Sequence, residues 1–530
     1  MGGDDGHFAA TVTASGAGLT VRSTVSVERE VESYDITFRT IGRDGRPSGD
    51  FGALVSPVTS LEPGYHFLSS ADGAPVVRLT RGEYVLDAWG VVDPADPAKG
   101  FDALVQPRLV IDRARTVTLD ARRARPVRIT GPDPGAPLVA GAMEYARTGS
   151  GGEAIGGFYP DSFATLNVAH LGPPVTDGSL SQGWYGHWRA TDPTEYHAAS
   201  GGRVKRLATG YSRAFRPAEF TTVKAGLGAP ADGKRATLEP TAHLPGGLWG
   251  MRGSGVARPL PDTRTVRLST GDAVRWSFRF GQLAGADPGG GDRTEAALES
   301  GPRTYRPGRS HRETFNTAVF GPLLDAGAGF SRRGDQLVPR IPLFSDGRGH
   351  SGSSDIGSAR TTLYRNGTRI GEIPDALTGG RSIPIGREAG RFTLTTSVLR
   401  DAATARVSSR IDAAWTFRAD AAPTDDEVML PISTVRFSGA RVGPDSTAPA
   451  GAVQRIPLQV HGAAANGNVR SLTAHASYDG GRTWRELTVS GARATVRNPA
   501  RGESVTLRAQ VTDKQGGTAR VTVRDAFFGG

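Results

Sequence analysis

The sequence predicts an all-β protein made of tandem β-sandwich domains. Three observations lead there. Glycine and proline, 72 and 35 of 530 residues, interrupt the chain about once in five positions, too often for long helices. Short runs in which apolar and polar residues alternate recur from end to end. Turn chemistry separates them at the spacing expected of antiparallel sandwiches. At roughly 150 residues per domain the length corresponds to three or four domains, each able to bury its own core. Cysteine is absent, which excludes disulfides, a thiolate metal site, an iron–sulfur cluster and a cysteine nucleophile.

Taken in order, Phe8 to Val27 alternates like two strands joined at Ser15 to Gly18, so residues 1–30 are expected to be the end of a preceding β-domain. Tyr34 to Ile41, the Asp44-Gly45 turn, and Gly82-Glu83-Tyr84 leading into Val85, Leu86 and Trp89 open a first sandwich over 31–130. Its last part, residues 107–134, holds about three strands with arginines facing outward. A less regular β-rich segment, 131–285, carries the aromatic cluster Trp184, Tyr185, His187, Trp188, Tyr196 and His197. Residues 286–293, ADPGGGDR, form a linker or long loop, after which Asn366-Gly367 marks a type I′ hairpin inside a sandwich over 286–425. The polar stretch DAAPTDDE, 420–427, precedes the last unit, 426–530. There Val505, Leu507, Ala509 and Val511 alternate with Thr506, Arg508, Gln510 and Thr512, the pattern of a half-buried strand in an immunoglobulin- or fibronectin-like module.

The net charge of +10 comes from 63 basic and 53 acidic residues, and only Lys99, Lys205, Lys224, Lys234 and Lys514 are lysine. The basic residues are spread along the chain, which describes a solvated surface and gives no nucleic-acid partner. No window approaches 18 apolar residues, so no membrane span is expected. The opening MGGDDGHFAATVTASG has neither a basic nor an apolar signal region, and the chain is expected to start within a longer polypeptide.

Catalytic motifs are missing where they would be expected. Gly349-His350-Ser351-Gly352-Ser353 lacks the second glycine of a nucleophile elbow and belongs to a Gly/Ser loop with no helix former behind it. His187 and His197 are the nearest approach to a metal pair, but zinc catalysis needs a third ligand and a second shell, and the two read as half-buried residues at the edge of a sheet. No phosphate-binding glycine motif occurs, and no cofactor is implied. Arg333-Gly334-Asp335 is too short a match to carry weight.

Two features remain. Ser477 to Trp484, SYDGGRTW, fits the S-x-D-x-G-x-T-W turn known as an Asp-box: Asp479 accepts backbone N–H groups, Gly481 supplies a positive φ and Trp484 packs back on the hairpin. It is a turn staple, and one copy does not make a propeller. The WYGHW run, with Trp184, Tyr185, His187 and Trp188, is a candidate platform for sugar rings. Alternation sends Trp184 and Trp188 to one face and Tyr185 to the other, which favours packing.

As a set, residues 21–48 (VRSTVSVEREVESYDITFRTIGRDGRPS), 194–225 (TEYHAASGGRVKRLATGYSRAFRPAEFTTVKA), 341–374 (IPLFSDGRGHSGSSDIGSARTTLYRNGTRIGEIP) and the closing stretch from Ser477 resemble the long C-terminal region of large secreted actinobacterial subtilisin-like serine proteases. The resemblance covers nearly the whole chain. LTRGEYVL, 79–86, is also similar to carboxypeptidase-regulatory-like sandwiches. The family's aspartate, H-G-T-H and G-T-S-M-A motifs do not occur here, so no triad residue is carried over and the chain is expected to be non-catalytic. What the resemblance implies is an extracellular array that supports or targets a subtilisin-like catalytic domain, in the same polypeptide or in trans, with protein substrate or cell-wall polysaccharide as further partners. The alternative is a stand-alone carbohydrate- or cell-envelope-binding protein.

Overall fold

A computed structural model describes residues 6–29, 31–59, 64–69, 74–93, 95–190, 194–247, 249–252, 255–286, 291–422 and 424–530. Strands and turns make up the fold. Among these residues there is no α-helix, only short 3-10 turns such as Ala121–Arg123.

The first strands, Gly6–Gly16 and Leu19–Arg29, pair along their whole length through a turn in which Ala17 and Gly18 have φ of 50° and 81°. This is the left-handed geometry of a tight hairpin, placed where the alternation breaks. No third strand joins the pair among the described residues.

From Ser33 to Ser354 four sheets stack as layers. The outermost orders Val76–Thr80, Ser33–Ile41 and Arg115–Asp120. The second orders Tyr211–Ala214, Arg125–Thr130, Leu166–His170, Phe101–Ile111, Gly82–Val91, Phe51–Pro57 and His66–Ser69. The third orders Gly152–Phe158, Leu138–Gly149, Leu180–Arg189, Thr194–Arg203, Asp262–Ser269, Phe220–Leu227 and Ser310–Phe315. The fourth orders Trp249–Arg252, Arg235–His243, Arg275–Ala286, Asp292–Glu299 and Ser351–Ser354, with Arg258–Pro259 added beside Arg235–His243.

Each gap between layers is filled by side chains of alternating parity. Ile36, Phe38 and Leu119 meet Tyr84, Leu86 and Leu104 in the first gap. Val85, Val105 and Val168 meet Met143, Trp184 and Trp188 in the second. Tyr185, Val223 and Leu268 meet Leu238, Trp276 and Phe280 in the third. A sheet covered on both sides buries both parities, which is why Tyr84, Val85 and Leu86 are all inaccessible in one strand. Burying each aromatic side chain of this size contributes about 2–3 kcal/mol.

The C-terminal part is built on one nine-stranded sheet. Its path is Thr368–Ile373, Ile356–Arg365, Gly390–Arg400, Arg410–Ala419, Thr518–Gly529, Ser504–Asp513, Val469–Ser477 and Arg485–Glu486, with Thr447–Ala448 parallel to Thr518–Gly529. Two four-stranded sheets share a single core with it, where Phe330, Leu337, Val435 and Ile456 pack with Leu394, Trp415, Leu507 and Val521. The alternation expected in the last strands holds from Leu507 on, with Leu507, Ala509 and Val511 fully buried and Arg508, Gln510 and Thr512 not; Thr506, expected to face outward, is buried beside a register shift between Val505 and Leu507. Asn366 and Gly367, with φ of 50° and 85°, turn the hairpin expected there.

The domain boundaries are corrected by hydrogen bonding. Arg125–Thr130 pairs with Leu166–His170 and with Tyr211–Ala214, so the sheet continues past residue 130. Arg275–Ala286 and Asp292–Glu299 are neighbours in one sheet, so the boundary expected at 285 falls inside that sheet; residues 287–290 of the expected linker lie outside the described residues. Arg410–Ala419 pairs with Thr518–Gly529 across the boundary expected at 425. Glycine and proline mark many of the connections, and they do so whether or not the next strand changes sheet.

Candidate functional site

Strand Leu180–Arg189 lies inside the third layer, between Leu138–Gly149 and Thr194–Arg203. Trp184 and Trp188 point into the second gap, where Trp184 stacks on Tyr211 at 4.5 Å, and Tyr185 points into the third. Trp184, Tyr185, His187 and Trp188 are 0–4% exposed, so the platform for sugar rings has no open ring face. Close packing explains it: Gly131 and Gly186 leave the space that the Trp188 indole fills.

The same strand builds a polar cluster. His187 and His197 are directly opposite each other across the antiparallel pair, and Glu195, two residues before His197, shares their face. Glu195 Oε2 stands 3.4 Å from His187 Nε2 and 3.6 Å from His197 Nε2. Arg258 Nη2 donates to Glu195 Oε1 at 3.2 Å, and His197 Nδ1 lies 2.7 Å from the Tyr185 hydroxyl. Burial, then the charge of His187, pushes His197 down to about 4, so it is neutral at pH 7. Burial raises the Glu195 carboxyl, but its interactions with His187 and His197 prevail and hold it well below the usual carboxylate range. The histidines thus belong to central strands and are fully buried, not half-buried at an edge as the sequence indicated. Glu195 was missed; the E-x-H spacing on an alternating strand was the available signal.

The three groups lie within 4.8 Å of one another, so a cation has to be considered. Donors around a tetrahedral zinc ion stand about 3.3–3.4 Å apart, and the observed spacings are close to that. Direction and charge are not. The imidazole rings stack with centroids 4.1 Å apart and planes 17° from parallel, so their in-plane lone pairs run side by side instead of converging. Arg258 already neutralises Glu195. The cluster is buried polar packing around an ion pair.

Gly349 to Ser353 is also corrected. Ser351–Ser354 is an edge strand paired with Asp292–Glu299, and His350 is buried, its Nδ1 2.9 Å from Asp346 Oδ2 and its ring stacked on Phe315. Asp346 also accepts from the backbone N–H groups of Asn316, Arg348 and His350, so this carboxylate knits a loop together.

The Asp-box turn carries the contacts its residue types call for. The Ser477 hydroxyl donates to Asp479 Oδ1 at 2.7 Å and accepts from the Gly481 N–H at 2.8 Å. Arg482 and Thr483 N–H groups donate to Asp479 Oδ1 at 3.0 and 2.9 Å. The hydrogen bond from the Thr483 hydroxyl, then that from its N–H, holds the Asp479 carboxyl well below the usual range. Gly481 has φ 92°.

Trp484, at the end of this turn, borders a recess of about 530 Å³ on the solvent face of the nine-stranded sheet. Arg360, Arg369, Arg508, Arg520 and Arg524 line it against two carboxylates, Glu372 and Asp412. The Arg508 guanidinium lies 3.7 Å over the Trp484 ring. This face is available because Leu507, Ala509, Val521 and Val523 take the opposite side of the same strands into the core. Of these arginines the sequence pattern marked only Arg508 as outward; the convergence of all five depends on register.

No known protein family and no curated protein matches this sequence. Among solved structures, the Bacillus anthracis TIE protein is 11% identical over 58% of this chain, with a TM-score of 0.12. The match spans 57% of that chain. The N-terminal four Ig domains of Dscam1 isoform 9.44 are 8% identical over 77% of this chain and 98% of that one, also at a TM-score of 0.12. The chain's own strands and sheets define it as an all-β protein of packed sandwiches.

Proposed function

We propose that the chain is a non-catalytic accessory array of β-domains, of the kind that follows the catalytic domain of subtilisin-like serine endopeptidases, and that it supports or targets such a protease outside the cell. The observation that carries this reading is the sharing of sheets between successive segments. Strands pass hydrogen bonds across residues 130, 285 and 425, so the segments hold one another in fixed orientation. A stiff multilayer body of this kind suits presenting a surface at a set distance from an attached domain. The chemistry needed to cleave a peptide bond belongs to the partner domain in this reading.

The test is the intact mass and N-terminal sequence of the native protein, from culture supernatant and from cell lysate. A secreted polypeptide carrying a catalytic domain upstream of this region supports the proposal. A 55.6 kDa product that begins at Met1 and stays in the cells overturns it. The second reading, a stand-alone cell-envelope-binding protein, draws on the basic recess beside Trp484.

A further inference from the structure

We infer that the recess on the solvent face of the nine-stranded sheet binds an acidic polysaccharide. Four observations support this. First, the charge is one-sided: five arginines face Glu372 and Asp412. Glu372 is shared between Arg369 at 3.3 Å and Arg360 at 3.9 Å, and Asp412 between Arg410 at 2.8 Å and Arg524 at 3.5 Å. Arg508 and Arg520 have no carboxylate within ion-pair distance among the described residues.

Second, register crowds these cations. Arg508 pairs with Thr522 across the strands, between Arg520 and Arg524 on the neighbouring strand. Burial first, and then the charge of Arg520, lowers the Arg508 guanidinium. A bound anion relieves that repulsion, and the guanidinium fork matches both carboxylate and phosphate oxygens.

Third, the walls are hydroxylic. Thr506 borders the recess, is 1% exposed, and its Oγ1 has no hydrogen-bond partner. A buried hydroxyl left unpaired is costly, and a ligand hydroxyl at this place satisfies it.

Fourth, the aromatic content points to sugar over nucleic acid. Strand-like nucleic acid needs successive open aromatic faces for its bases. Here the aromatic side chains at the recess are Trp484 and Tyr364, in different segments, and Arg508 covers a face of Trp484, so no row of open rings is offered. A chain with acidic groups spaced by hydroxyl-bearing rings matches separated arginines, threonine hydroxyls and two half-buried aromatic residues, Trp484 and Tyr364. The inference stands whether or not a protease is attached to the array.

The test uses the full chain in affinity electrophoresis and calorimetry at low and raised salt. The probes are polygalacturonate, a glycerol-phosphate polymer, neutral dextran and poly-dT. The expected result is retention by polygalacturonate, with affinity falling as salt rises and no retention by dextran; retention by the glycerol-phosphate polymer alone would show an anion site without sugar recognition and overturn the inference.

Arg360→Ala with Arg520→Ala should weaken binding about tenfold or more. Arg128→Ala with Arg189→Ala, exposed arginines on other sheets, should change it less than about twofold, since the contacts are local. Thr506→Val serves as the second variant, because it keeps shape and removes no internal hydrogen bond; it should also weaken binding at an unchanged melting temperature. Equal retention by dextran, poly-dT binding as tight as the acidic glycans, equal loss in the control pair, or no acidic polymer bound would each overturn the inference.

Discussion

Replacing Asp87 with asparagine should remove a measurable part of the pH dependence of stability. Asp87 lies on strand Gly82–Val91, 7% exposed, where the second layer faces the third. Tyr145 donates its hydroxyl to Oδ2 at 2.5 Å, while Oδ1 has no partner. Burial raises the carboxyl to about 6 from an ordinary 3.8, against the opposing Tyr145 hydrogen bond. The folded state therefore holds its proton more tightly than the unfolded state does. This contribution to stability is fully present below about pH 4 and is lost as pH rises through about 6. A displacement of about two pKa units corresponds to about 3 kcal/mol between those limits. Asparagine still offers Tyr145 an acceptor oxygen but cannot ionise. Urea unfolding of both proteins at pH 4, 5, 6 and 7, followed by tryptophan fluorescence, measures the effect, because titrations common to both cancel in the difference. The variant should gain about 2 kcal/mol relative to the parent from pH 4 to 7, since part of the full span lies outside these limits. A difference that stays flat with pH would mean that the Asp87 carboxyl is not desolvated as described.

Glu195→Gln should destabilise the protein by about 3–5 kcal/mol in denaturant titration, because it leaves the Arg258 guanidinium facing a neutral partner at a buried site; a loss below about 1 kcal/mol would contradict the ion pair. Asp479→Ala should speed hydrogen exchange at the Arg482 and Thr483 amides, which lose their acceptor, with little change in the global transition. Since the folded Asp479 carboxyl is held low, the parent turn should keep that protection down through the usual aspartate range and lose it only on deeper acidification. Gly367→Ala meets no atom within 4 Å, so its cost should be that of φ 85° alone, about 1 kcal/mol by thermal or chemical melting.

Much of the local architecture is legible in the residues. The strands Phe101–Ile111, Arg115–Asp120 and Arg125–Thr130 fall in the stretch where alternation and turn chemistry indicate about three. The division of Trp184 and Trp188 from Tyr185 follows from period two alone. These features are local, set by side-chain direction and by φ at one or two residues. Sheet membership is different in kind. Arg125–Thr130 lies parallel to Tyr211–Ala214, some eighty residues further on, and nothing in either segment specifies the other. Burial on both faces also weakens alternation: Tyr84-Val85-Leu86 gives an apolar run without a period. The polar sites share this difficulty. The His187–Glu195 contact needs one strand pairing, and the arginine recess needs the register of several.

The shared sheets also bear on how such a chain can be divided or inherited. A gene fragment ending at residue 130 would keep Arg125–Thr130 but lose both of its hydrogen-bonded neighbours, Leu166–His170 and Tyr211–Ala214. One ending at residue 425 would expose the backbone of Arg410–Ala419 as a new sheet edge, a template for pairing with other chains. Recombination that shuffles self-contained modules has no clean crossover at these points. The region from Ser33 onward is therefore a poor source of interchangeable parts, and recombinant fragments cut at these turns should be recovered as aggregates.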